Sequence, residues 1–355
     1  MKRSTFLLTI MLFLSLSCMA SAAGNLFPVQ LGKGKWGYID NRGALLIPPR
    51  YDEAKPFFEG LAAVKMNGDW GYIDLSGKSR TGFVFSLAGS FSEGVAAVCR
   101  KNDLFMGYID TDGKTVIEPA WPDAGEFSEG LAAVRKSISS GWGYIDRTGK
   151  EVIAPKFVMD APRPFREGVA AVRMEGKWGY VDKTGTMVIE PRYYEALDFS
   201  EGVAMVRETV VKNRRYGSSL PVETSGGKCG FIDRKGIYAI PPQFDAASGF
   251  SEHLAPVRTG GLWGYIDRKG AMVIAPKFQL AENFSEGLAV VLLQSPPDLR
   301  TFFGYIDPSG RVAIKPVELF NAFGFSGGLA EVITQDNRTR YLTTSGTVLW
   351  SSGAR

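Results

Sequence analysis

Histidine is almost missing from this 355-residue chain: His253 is the only one. A single imidazole excludes a histidine-rich metal site and leaves little room for histidine-based acid/base catalysis. Cysteine is scarce too, with three in all. No excess of one charge is present, 41 Lys and Arg standing against 37 Asp and Glu. A nucleic-acid binder would show a strongly basic face, and this balance gives no reason to expect one. Beyond the N-terminus no apolar run approaches the roughly 18 residues of a membrane-spanning helix, so no transmembrane segment is expected. Disorder is excluded as well, because 45% of the residues are hydrophobic and 12% aromatic.

The N-terminal residues read as an address. Lys2 and Arg3 precede an apolar run from Phe6 to Leu16 and the small residues Ala20-Ser21-Ala22-Ala23, the pattern of a secretory signal peptide. Cleavage after Ala22 or Ala23 is expected, leaving an exported protein, periplasmic or extracellular. Cys18 offers the alternative of a lipid anchor, although Ser15-Leu16-Ser17 suits that motif poorly. Cleavage leaves Cys99 and Cys229 in an oxidising compartment. They lie four repeat units apart, too far for the Cα separation of about 7 Å that a bridge requires, so two unpaired, partly buried thiols are expected.

What the chain has in abundance is repetition. Trp36-Gly37-Tyr38-Ile39-Asp40 recurs from Trp70, Trp142 and Trp263, and from Trp178 with Val181 for the Ile. Weaker copies begin at Met106, Cys229 and Phe303, and a degenerate ninth reads Arg340-Tyr341-Leu342-Thr343. A second signature, Phe-Ser-Glu-Gly at Phe91, has relatives at Phe57, Phe127, Phe165, Phe199, Phe250, Phe284 and Phe325. These motifs resemble the WG-repeat (KWG) family over residues 26–350. The resemblance implies a β-repeat protein, often bacterial and exported, whose biochemical role is mostly undefined.

Each unit holds three strand-like runs, as in Leu131–Val134, Trp142–Asp146 and Glu151–Ile153. The second turn is Asp146-Arg147-Thr148-Gly149, where Asp can cap and Gly can take the left-handed conformation. Pro155 then stops the third run. A three-stranded antiparallel meander this short is unstable alone, and stacking neighbours buries its apolar face. The expected fold is therefore all-β, a tandem array of nine such units over 26–350, followed by a short tail at 351–355. Nine units with no strand left over to pair the termini favour an open, curved or superhelical array. The alternative is a closed, β-propeller-like toroid.

Insertions collect at the tip of the first hairpin: Phe199 to Cys229 spans 30 residues where Phe57 to Trp70 spans 13. The long insertion at 207–228 carries Lys212, Arg214, Arg215 and Tyr216, a candidate partner-binding loop; a solvated excursion is the plainer reading. The repeated turn Asp residues are expected to cap turns and not to bind calcium, which needs six to eight oxygen ligands. The Glu row (Glu59, Glu93, Glu129, Glu167, Glu201, Glu252, Glu286) is expected to be solvated or ion-paired with the basic row at Lys65, Arg135, Arg173, Arg207 and Arg258, since catalysis needs one constellation unlike its neighbours. Ser251-Glu252-His253 is not the spatial arrangement of a triad. The Trp series is expected to be core and not a sugar platform. No enzyme, cofactor or metal is expected. The function expected is a binding or scaffold surface for a protein partner, with a cell-envelope or glycan-binding module as alternative and a hydrolase behind both.

Overall fold

The computed structural model describes residues 25–352 apart from 32–33, 138, 159, 209, 213–221, 225–226 and 294–300. The expected signal segment and Cys18 lie outside the described residues. All regular structure is antiparallel β. In the fourth unit the strands are Leu131–Ser137, Gly141–Asp146 and Glu151–Phe157, paired Val134 to Gly143 and Tyr144 to Ile153. The third strand bulges around its proline, and that bulge explains the Trp-Gly pair. A Cβ on Gly143 would lie 2.3 Å from the Ile153 carbonyl oxygen, so only glycine lets the two strands approach.

A fourth, two-residue strand completes most units, which the meander reading missed. Asp123–Ala124 pairs with Arg135 and Val134 on the free edge of the first strand. Glu53–Ala54, Glu195–Ala196, Ala246–Ala247 and Leu280–Ala281 repeat the arrangement. Two residues of undistinguished composition carry no periodic signal, so sequence pattern could not reveal them. The outer strand of one unit runs on into this inner strand of the next, most plainly in Val312–Ser326, which pairs with both neighbours.

Cores form between units. The first joins Tyr38, Ile47 and Tyr51 of unit one to Ala62, Val64 and Ile73 of unit two. Eight further clusters follow in order around the chain, and the ninth joins Leu329 and Tyr341 of the last unit to Phe27, Val29 and Ile39 of the first. The array is therefore closed, which corrects the expectation of an open one. The tandem β-repeat holds, in its propeller-like alternative.

Closure uses side chains and not strand pairing, which is why counting strands pointed the wrong way. In most units the motif Tyr donates its hydroxyl to an inner-strand carbonyl of the next unit, as Tyr108 does to Gly125 at 2.8 Å and Tyr180 to Leu197 at 2.6 Å. Tyr341 donates to Pro28 at 2.9 Å, 313 residues away in sequence. The described part of unit one has no inner strand, so Tyr341 bonds the first strand directly. There, too, Phe27 stands where unit two has Ala62, and its ring meets Tyr341 at 5.5 Å. In the other units a Phe of the second signature makes that contact, as Phe127 does with Tyr108 at 4.9 Å.

Candidate functional site

The repeated polar residues were the first candidates for chemistry, and each is engaged in structure. In the turn at Asp146, Oδ1 accepts from the N–H groups of Thr148 and Lys150 and from the Thr148 hydroxyl. Those hydrogen bonds, the hydroxyl's first, hold the Asp146 carboxyl below its ordinary range. Asp307 follows the same pattern with Ser309 and falls to about 2. The capping role is met, through Oδ1.

The Glu row does something that sequence did not suggest. Residues Ser128 to Leu131 form a tight turn with paired backbone bonds, and its central residues Glu129 and Gly130 have φ of 54° and 84°. This places Glu in the left-handed region, which disfavours any side chain. Its carboxylate accepts from Gly168 N–H in the next unit's turn at 2.9 Å. Glu93 does the same to Gly130, Glu167 to Gly202 and Glu252 to Gly287. The serine beside it extends the linkage: Ser128 donates to the Phe165 carbonyl at 2.7 Å and Ser285 to Phe325 at 2.7 Å. Ion pairs reach this row from Lys183 to Glu129 and from Arg234 to Glu167, and not from the basic row after the first strand, where Lys65, Arg135, Arg173 and Arg207 engage Glu53, Asp123, Asp160 and Glu195 instead. His253 takes the glycine position of this turn at φ 67°. Its backbone N–H bonds Glu201, and its side chain is 89% exposed with Nδ1 3.3 Å from that carboxylate.

The Trp row meets the expectation of core in part: Trp70 is buried, and Trp36, Trp142, Trp178 and Trp263 pack against the core clusters from their edge. The fully buried aromatic of the motif is Tyr: Tyr38, Tyr72, Tyr108 and Tyr180 are each 0% exposed. Trp36, Trp142, Trp178 and Trp263 are only half-buried, and Trp70 alone among the motif tryptophans is buried. Each Trp lies at the hairpin-tip end of its strand, where burial is least. Cations cover several of these indoles, as Arg135 covers Trp142 with its guanidinium carbon 5.5 Å from the centroid.

Two kinds of surface remain. One is the face of hairpin tips, where the insertions project. Val210–Lys212 and Val222–Thr224 pair as an extra hairpin there, so the insertion is partly structured. Lys212 sits on that hairpin's backbone; Arg214, Arg215 and Tyr216 lie outside the described residues. The same face exposes Leu104, Val158 and Phe320 at 85%, 65% and 66%. The other surface is the inner rim, built from the two-residue strands and the residues that follow them. It carries Lys55, Glu126, Arg163, Asp198 and Glu282. Burial pushes the Asp198 carboxyl above its ordinary range, offset in part by Arg163, whose Nε is 3.8 Å away, and local desolvation does the same to the Glu282 carboxyl although that residue is exposed overall. Sequence reasoning passed over this rim because its residues differ from unit to unit. A half-buried cleft of about 230 Å³ opens beside it at Trp142. Cys99 and Cys229 are buried and unpaired in separate units.

Among proteins of curated function none matches the sequence. Solved structures share the architecture. The chain is similar to the crystal structure of a eukaryotic initiation factor, at 12% identity and a TM-score of 0.61, over 93% of this chain and 96% of that one. BamB from Moraxella catarrhalis matches at 13% identity and a TM-score of 0.41, over 91% and 96%. At 12% identity the likeness to the initiation factor speaks to the fold alone. The WG containing repeat pattern matches residues 36–69, 70–105, 106–137, 142–178, 178–208, 230–263, 263–294 and 303–337. Eight matched repeats, five of them with the Trp-Gly pair intact and each packed on the next, make the chain a member of the WG containing repeat family.

Proposed function

We propose that this protein is a non-enzymatic, exported scaffold whose closed ring presents a rigid surface to a protein partner. The observation that carries the reading is the separation of constant from variable. The turns, the Glu row and the motif Tyr repeat and are consumed in holding units together, whereas the hairpin tips and the inner rim vary. Variable loops on a rigid repeat scaffold are where recognition resides. The reading leaves the repeated acids no catalytic role, because their oxygens cap turns within and between units. Export, rather than lipid anchoring through Cys18, rests on the N-terminal sequence, and the N-terminal mass of the purified protein tests it.

The partly exposed tryptophans favour a second reading, a glycan-binding module of the cell envelope. Pull-down from an envelope fraction, with the intact chain and with a chain lacking 207–228, separates the two. Capture of one protein species, weakened by the deletion, supports the scaffold. Retention of polysaccharide alone, unaffected by the deletion, refutes it.

A further inference from the structure

In units two and five a rim cation lies over the motif tryptophan; unit four has none at that position, and in unit seven, the unit of Trp263, Ser248 holds it. In unit two Trp70 is flanked by two lysines of its own unit. Lys65, its cross-strand partner, has Nζ 5.6 Å from the indole centroid, and Lys55, from the inner rim, 5.1 Å. Lys55 Nζ also donates to the Ala88 carbonyl of the next unit at 2.7 Å. In unit five Arg163 takes the place of Lys55, since its N–H bonds Ala171 as that of Lys55 bonds Ala63. Its guanidinium carbon lies 5.6 Å from Trp178.

Unit four keeps the cross-strand cation, Arg135. The rim position, identified by an N–H bonded to Ala133, is Gly125. Where units two and five place a cationic side chain, unit four has the cleft of about 230 Å³, lined by Gly125, Glu126, Trp142, Met106, Pro162 and Pro164. Asp123 also borders it and is engaged by Arg135. Among the described residues no ion pair is formed by Glu126, although Lys55 lies close enough for their charges to interact.

We propose that the cleft at Trp142 binds a lysine side chain of a partner protein, which supplies from outside the cation that Lys55 supplies to Trp70 from within. This deepens the scaffold reading and rests on it. Met106 and the two prolines suit a four-carbon stem. Trp142 and the Glu126 carboxylate suit the ammonium group. Lysine is favoured over arginine by what the next unit offers. Pro162 precedes Arg163 as Ala88 precedes Gly89, so its carbonyl stands where the Lys55 ammonium finds its acceptor. Arg163 instead faces Asp198, which follows Leu197 on the next rim strand; the corresponding residue after Arg163 is Pro164, which has no carboxylate.

The test is titration of the protein with the peptides acetyl-Gly-Lys-Gly-amide and acetyl-Gly-norleucine-Gly-amide, followed by Trp fluorescence and calorimetry. The lysyl peptide is expected to bind about tenfold tighter than its uncharged isostere, within the range of a partly desolvated cation–π contact. Gly125→Lys should abolish that binding by filling the cleft from within. A Cβ at Gly125 would lie 3.4 Å from the Ala133 carbonyl oxygen, an ordinary contact, so this variant should fold. Glu126→Gln should weaken binding without touching Trp142. Equal binding of the two peptides, no lysyl binding at millimolar concentration, or unchanged binding by Gly125→Lys each overturns the proposal. So does oligosaccharide binding that Gly125→Lys removes while lysyl peptide fails to bind. A protein partner captured equally by wild type and Gly125→Lys refutes the cleft and leaves the scaffold standing. Lysyl binding with no protein captured refutes the scaffold alone.

Discussion

A left-handed glutamate is tolerable when its carboxylate is needed where the turn puts it, and the inter-unit turns are built on that exchange. His253 occupies the second, glycine position of such a turn at φ 67° with its side chain almost wholly in solvent. It bears the strain of that conformation with little packing in return. His253→Gly should therefore stabilise the protein by about 1 kcal/mol, measured by urea denaturation; a loss of stability would mean that the contact with Glu201 matters more than backbone strain. Tyr144→Phe removes the 2.7 Å bond to the Arg163 carbonyl and should cost about 1 kcal/mol. The loss is bounded because unit six already carries Phe231 at this position, buried and in ring contact with Phe250 at 5.0 Å. Acid dependence has two opposing parts. Burial disfavours the Glu129 carboxylate, but the bonds from Lys183 and Gly168 outweigh it and lower its pKa. Its contribution is present above the ordinary glutamate range and is lost as pH falls through the lowered value. For Glu282, an exposed residue overall, local desolvation of the carboxyl on the rim raises the pKa, so its contribution is present below the ordinary value and is lost as pH rises through the raised one. Glu282→Gln should accordingly raise the melting temperature at pH 7 and leave it unchanged below about pH 4. An equal shift at both pH values would show that ionisation is not the cause.

Within one unit, three strands and two turns were legible because each carries a local signal: alternation, Asp-x-x-Gly, and a proline at the third strand. The motif Tyr and Trp were not distinguishable by pattern. They share a face, and only position along the strand buries Tyr144 while leaving Trp142 at the hairpin end. Tyr144→Ala should cost roughly 4 kcal/mol, as for other emptied aromatic sites, and Trp142→Ala clearly less; equal costs in denaturant melts would contradict that assignment. The rim and its cleft were illegible for a different reason. They depend on Gly125 standing where Lys55 and Arg163 stand, an equivalence visible only once backbone bonds define the register. The insertion at 207–228 grows from the tip of one hairpin, with its own paired segment at Val210–Lys212 and Val222–Thr224. Deleting Val210 to Ser225 should change stability little, because loop length enters only logarithmically. If the basic residues recognise an anionic partner, the deletion should weaken binding and flatten its dependence on salt. Unchanged affinity at two ionic strengths would return the segment to a solvated excursion.

Nine interfaces joining nine units is the property of the whole molecule that no single repeat contains. In an open array the terminal units each expose one apolar face, and repeat proteins ordinarily need caps there. Here the last unit covers the first, with Phe27 making the contact that a Phe of the second signature makes in the other units. The seam is marked a third time by Gly43, whose added Cβ would lie 3.0 Å from the Leu349 side chain, as one on Gly149 would lie 3.0 Å from Ile117 of its preceding unit. The measurement that bears most directly on closure is a disulfide across this seam. A Cβ at Gly327, where φ is +63°, would lie 2.9 Å from that of Asn25, so an Asn25→Cys, Gly327→Cys pair is in reach of a bridge once the seam opens by roughly 1 Å to the usual Cβ separation of about 3.8 Å. Closure predicts that the mature double variant oxidises to an intramolecular bridge joining the chain's two ends, seen as faster migration on a non-reducing gel and as one linked peptide by mass spectrometry. Two thiols that stay reduced under the same oxidant, in a protein that remains folded, would contradict the ring.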